Sequence, residues 1–232
     1  MASAIEEITS DIRAEKKKTK NIDDAVMNVV RKVFRETTPV RFEGNNYAES
    51  WVKEAEKRGL PNLRRAPEGL AELNTKKAHK VLVGLGVLND AELESRYHVR
   101  IERYIKDILI EMHTLGEMID TLVLPAAYEY AGALASHAAQ AKAAGITEIP
   151  QIDRANEIGK LAKKLKSQRD ALVKVREKAE HMHDDLTKAA MLLTTDGADA
   201  MSAVRASSDA LEVLVADDAW PLPKYREMLF PV

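Results

Sequence analysis

Six histidines are the strongest nitrogen donors in the sequence, and their spacing decides whether a metal site can be built from them. His181 and His183 stand two apart, which on a helix turns them about 200° from each other, so they cannot grip one ion from a single turn. His79, His98, His113 and His137 are isolated from one another by the same reasoning. Paired carboxylates recur, as in Glu92 with Glu94 and Asp184 with Asp185, but 31% of residues are charged and such pairs read as the wet faces of amphipathic helices. Lys160, Lys163, Lys164 and Lys166 flank an apolar stripe and read as a solvated coiled-coil flank rather than a nucleic-acid groove. No glycine-rich phosphate cradle and no Gly-x-Ser-x-Gly elbow occurs. Cysteine is absent, which removes disulfides, thiolate ligands and a thiol nucleophile. The residues by themselves predict no catalytic group, no cofactor site and no metal site.

The elements that would position any site are helices. Hydrophobic residues make up 45% of the 232, enough for a core, and the aromatic share of 5% leaves an Ala, Leu, Val, Ile and Met palette that favours helix over sheet. An all-α fold is expected. From Asp90 to about Ala144 one long helix is predicted, with Ile101, Ile105, Ile108, Met112, Leu115, Ile119 and Leu122 on a stripe that steps by threes and fours. At about 1.5 Å per residue it spans roughly 80 Å and needs long partners. Pro125 is expected to kink it, and the alanines beyond form a small-residue packing surface. After a turn at Gly145–Pro150 a return helix is predicted from Ile152 to about Leu193, its stripe interrupted only by Gln168, a register-fixing residue. Thr194 to Asp196 are expected to cap a last helix that runs to about Val215. The sum is an antiparallel three-helix bundle.

Upstream, helices are predicted for Met1 to Lys18 and Asp23 to about Glu36, the second ended by Thr37, Thr38 and Pro39. Val40-Arg41-Phe42 alternates like a very short strand, and Gly44-Asn45-Asn46 is turn chemistry. A helix from Tyr47 to Arg58 closes at Gly59, and two short helices follow over Glu68–Leu73 and Thr75–Leu85. The expected division is residues 1–85, short helices with an irregular segment over 39–63, and residues 86–232, the bundle and its tail. Lys plus Arg number 35 against 37 Asp plus Glu, a net charge of -2, so no general pull toward nucleic acid or anionic membrane exists. No signal-peptide pattern and no run of about 18 apolar residues is present, so the cytoplasm is expected.

Three segments are more specific. Gly44 to Leu63 reads GNNYAESWVKEAEKRGLPNL, Gly86 to Tyr97 reads GVLNDAELESRY, and Trp220 to Val232 reads WPLPKYREMLFPV. Together and in this order they resemble segments of type III glutamine synthetases that follow the catalytic barrel. The resemblance implies ATP-dependent ligation of ammonia to glutamate by the full-length enzyme, with ATP and Mg or Mn as its cofactors. The metal-bearing barrel strands of the family lie upstream of the matched residues, so no catalytic residue carries over and the isolated chain is expected to be inactive. The expected role is structural: a C-terminal helical part that meets the catalytic barrel and neighbouring subunits of a homo-oligomeric ring, with no nucleic acid and no membrane partner. The alternative is a stand-alone helical scaffold or adaptor derived from such an enzyme. Trp51, Trp220, Tyr225 and Phe230 are the expected docking anchors. Tyr47 lies in a region that in the distantly similar type I enzymes includes a regulatory tyrosine loop; packing beside the turn is its expected role.

Overall fold

Short helices at the beginning of the chain can bury an apolar face only by pairing, and the first two do so. The computed structural model describes residues 1–229 and divides into two compact units, Met1–Arg64 with Thr75–Asp90, and Arg65–Asn74 with Ala91–Val232. In the first unit α1 (Ala2–Thr19) ends at Lys20, whose φ of 62° lets the chain reverse. Asn21 then caps α2 (Ile22–Glu36), its side-chain oxygen accepting the Asp23 N–H at 3.0 Å. The two run antiparallel, held by Lys32 Nζ to Asp11 at 2.9 Å and by Asn28 donating to Glu15 at 3.3 Å, with Ala25 and Val29 buried.

The alternation of Val40-Arg41-Phe42 is not a strand: Thr38–Val40 is a 3-10 turn, and the described residues contain no strand. Pro39 explains the difference, since its fixed φ suits a turn and it lacks the N–H a ladder needs. The next helix is shorter than predicted, α3 (Glu49–Lys57). Gly59 closes it with φ of 75°, its N–H reaching Glu56 C=O at 2.9 Å while Leu60 N–H reaches Ala55 C=O at 3.0 Å, a Schellman end that disfavours a side chain at that position. In the second unit α4 (Ala66–Ala71) continues as a 3-10 turn over Glu72–Asn74. In the first unit α5 (Lys76–Leu82) is capped by the Thr75 hydroxyl, which accepts from Ala78 N–H at 3.2 Å.

The bundle fills the second unit. Its first limb is α6 (Asp90–Met118), one π-turn over Ile119–Val123, then α7 (Leu124–Ala143). The π-turn stands where Pro125 predicts a disturbance: Leu124 N–H bonds back to Ile119 C=O, so the widened turn falls just ahead of the residue that has no N–H to give. Widening also changes the phase of the stripe. Leu122, predicted to face the core, is turned outward, and Val123 is buried in its place. Gly145, at φ of 82°, closes α7 and reverses the chain into α8 (Gln151–Glu180).

The third limb departs from the predicted boundaries. The return helix stops at Glu180 instead of Leu193, the chain turns at residues 181–185, and α9 (Leu186–Leu192), a second π-turn over Leu193–Gly197 and α10 (Ala198–Leu214) follow without a break. Asp185 is the true cap, accepting Lys188 N–H at 3.0 Å. Thr194 is buried with its hydroxyl bonded across to Tyr104, and Thr195 donates back to Met191 C=O at 2.9 Å, which keeps both inside a helix instead of at its start. Ile101, Ile105, Met112, Ile158, Leu165, Leu172, Leu193, Val204 and Leu211 form the common core, and Leu70 and Leu73 pack against it.

Candidate functional site

Specific polar pairs fix how the three limbs align. Tyr97 OH and Thr187 Oγ1 lie 2.6 Å apart, and Tyr104 pairs with Thr194 in the same way seven residues on, so α6 and the α9 limb run parallel in one register. Against α8 the order reverses: Asp120 pairs with Arg169, and seven residues back His113 Nδ1 accepts from Arg176 at 2.5 Å, seven residues forward on α8. Arg154 donates to the Leu214 and Val213 carbonyls at 3.0 and 3.3 Å, tying the start of α8 to the end of α10 and answering orphan helix-end acceptors. Sequence reading missed these pairs, although the matched spacing of seven between the two tyrosines and between the two threonines was a usable signal. Gln168 sits within the bundle with its carbonyl oxygen buried and unpartnered.

The histidines do not gather. His79 bonds Asp90 at 3.0 Å, His181 Nδ1 donates to the Glu177 carbonyl at 2.6 Å, and His113 faces Arg176. Among the described residues no group of three or more His, Asp or Glu side chains that could hold a metal ion comes together. Four groups are shifted by partners. The Lys18 ammonium holds the Glu15 carboxyl below its usual range, and Asp11 pushes Lys32 up. Lys188 lowers Asp185 and is raised by it in return.

The four expected anchors have different settings. Trp51 stacks on Phe42 with ring centroids 4.2 Å apart and the Arg58 guanidinium 5.5 Å from its ring, while Arg58 also bonds Glu54 at 2.8 Å and the Arg41 carbonyl at 2.8 Å. Trp220, only 7% exposed, sits in the bundle core, with its indole N–H buried and unpartnered. Tyr225 begins a short helix, α11 (Tyr225–Leu229), and Phe230 lies outside the described residues. Tyr47 does not pack: it is 98% exposed, because its N–H is drawn to Asn45 Oδ1 at 3.0 Å in a tight turn that throws the ring outward.

Two of the hollows in the bundle border its core. One of about 380 Å³ has an apolar floor that includes Ile105, Leu109, Met182 and Leu186, with Glu102, Lys106 and His183 at its rim. The other, about 370 Å³, opens beside Trp220 between the first π-turn and α10, where Arg205 and Asp209 pair at 2.7 Å.

A helical bundle domain whose limbs are aligned by inter-limb polar pairs is the class that the geometry supports. The chain belongs to the glutamine synthetase C-terminal domain family, whose model, described as "Glutamine synthetase C-terminal domain", matches residues 25–142. It is 30% identical over 215 residues to a glutamine synthetase of Bacteroides fragilis (strain YCH46), covering 90% of this chain and 29% of that protein. A type-3 glutamine synthetase of Dictyostelium discoideum is 30% identical over 231 residues, covering 97% of this chain and 31% of the relative. A glutamine synthetase of Butyrivibrio fibrisolvens is 31% identical over 220 residues, covering 89% and 30%. The chain therefore spans just under a third of the length of these curated relatives.

Proposed function

We propose that this chain is the non-catalytic helical part of a type III glutamine synthetase, which packs against the catalytic barrel and against neighbouring subunits and holds the assembly in shape. The observation that carries this reading is the match of the C-terminal domain family over residues 25–142. ATP and Mg or Mn serve the catalytic barrel, where ammonia is ligated to glutamate in the cytoplasm. Among the described residues no helix is long and apolar enough to cross a membrane. Trp51 and Trp220 act here by stiffening the surfaces that dock, Trp51 through its stack on Phe42 and Trp220 by closing the bundle end. Tyr225 and Phe230 are assigned the same docking role from the sequence, Phe230 lying outside the described residues.

A chimera tests it. The corresponding C-terminal third of the Bacteroides fragilis enzyme is replaced by this chain, and glutamine formation and particle mass are measured. The reading expects an oligomer with measurable synthesis, whereas the same enzyme truncated before that third loses both. A truncated enzyme that assembles and works as well as the intact one would remove the structural role.

A further inference from the structure

In the first unit the α1–α2 hairpin buries only one flank of α2. Val30 and Phe34 remain 51% and 60% exposed, and Met27 beside them is also open, one apolar strip at helical spacing on the face turned away from Ala25 and Val29. The Arg41 guanidinium covers one side of the Phe34 ring at 3.5 Å, leaving the rest of the strip uncovered. The charges along this strip are segregated. Asp23 and Asp24 stand at the first turn of α2, and Arg31 and Arg35 in its second half. Asp24, Arg31 and Arg35 are spaced seven and four apart, so they share a flank of the helix beside the strip. Glu36 falls on the Val29 side of α2, toward α1, where it, Glu7 and Asp11 act on Lys32.

An acidic first half and a basic second half along one apolar strip is the pattern of a helix that pairs with itself antiparallel. Under a two-fold axis the same flank meets itself reversed, so Asp24 of one copy faces Arg31 and Arg35 of the other twice over, while Asp23 lies at the end of the strip itself. A parallel pairing would set like charges together. We infer that the occupant of this face is the α1–α2 hairpin of a second copy of this chain, giving an antiparallel four-helix contact between subunits. It deepens the assembly reading above by naming one face and its partner. That reading stands or falls with the chimera, which does not depend on this face being the contact.

The test is the mass of the purified full chain by light scattering across concentration. A reversible dimer is expected, weakened by salt. Phe34→Glu and Val30→Glu are each expected to shift the chain to monomer with helical circular dichroism retained. A charge swap separates this face from any other. Asp24→Lys, and Arg31→Glu with Arg35→Glu, are each expected to weaken dimerisation roughly tenfold or more, and an equimolar mixture of the two to restore it. A wild-type chain that stays monomeric to roughly 1 mM, or a dimer indifferent to the swaps, overturns the inference. Protection of Val30 and Phe34 only by an added catalytic portion of a synthetase also overturns it, and assigns the face to that portion.

Discussion

The two tyrosine–threonine pairs carry more of the bundle's alignment than any other side chains, because each ties α6 to the third limb at one fixed offset. Tyr97→Phe removes a hydroxyl and leaves Thr187 without its partner, at a cost of about 1 kcal/mol in urea unfolding. The double change with Thr187→Val should cost less than the two single changes summed, since no orphan remains. Asp185 sets a pH dependence. The Lys188 ammonium is the largest cause holding its carboxyl below the ordinary range, followed by the Lys188 backbone N–H. A carboxyl lowered in the folded state contributes stability that is complete above its unfolded value and is lost as pH falls through the folded one. Asp185→Ala should therefore remove part of the acid sensitivity of α9 and lower the thermal midpoint, read from Lys188 amide shifts and from melting at neutral and acid pH. The partner has the opposite sign: Lys188 is raised, so its share is lost only as pH climbs through the raised value. Salt should blunt both, because the pair is exposed.

At the scale of elements, the apolar stripe was legible and its interruptions were not. Ile101, Ile105, Met112, Ile158, Leu165 and Leu172 are all buried as the three-four spacing predicts. The same spacing ran through the real turn at residues 181–185, because Met182 and Leu186 keep the period while packing on one end of the core. The π-turns left only indirect marks. Pro125 signals the first, but a widened turn and a kinked one require the same missing N–H. Gly197 ends the second within 3.5 Å of Met112 Sδ from where its Cβ would stand, a tertiary closeness with no local signature. Inserting one further residue into Ile119–Val123, whose π-turn already absorbs an extra one, should rotate α7 by about 100° relative to α6 and carry Ala127, Leu134 and Ala138 out of the core. We expect loss of cooperative unfolding, while Pro125→Ala remains folded. Leu165→Ala or Leu172→Ala, both fully buried, should each cost about 2–5 kcal/mol in denaturant unfolding.

At the scale of the molecule, the family was legible where periodicity stopped. The stretch Gly44 to Leu63 says little through its apolar pattern, yet its identities carry the resemblance, and in the fold its Trp51 and Arg58 join Phe42, just ahead of it, in one stack while its Gly59 ends the helix. Tyr47 shows the limit of such reading. Its neighbours predicted packing, and only the Asn45 turn reveals that the ring points to solvent. The central claim is that this chain supplies architecture to a catalytic portion it does not contain. The most direct measurement adds the purified chain to the separately produced catalytic portion of a type III enzyme and follows particle mass and glutamine formation together. The account predicts a mixed particle larger than either component and activity at least roughly tenfold above that of the catalytic portion alone. Two components that stay separate, with the catalytic portion fully active unaided, would contradict it.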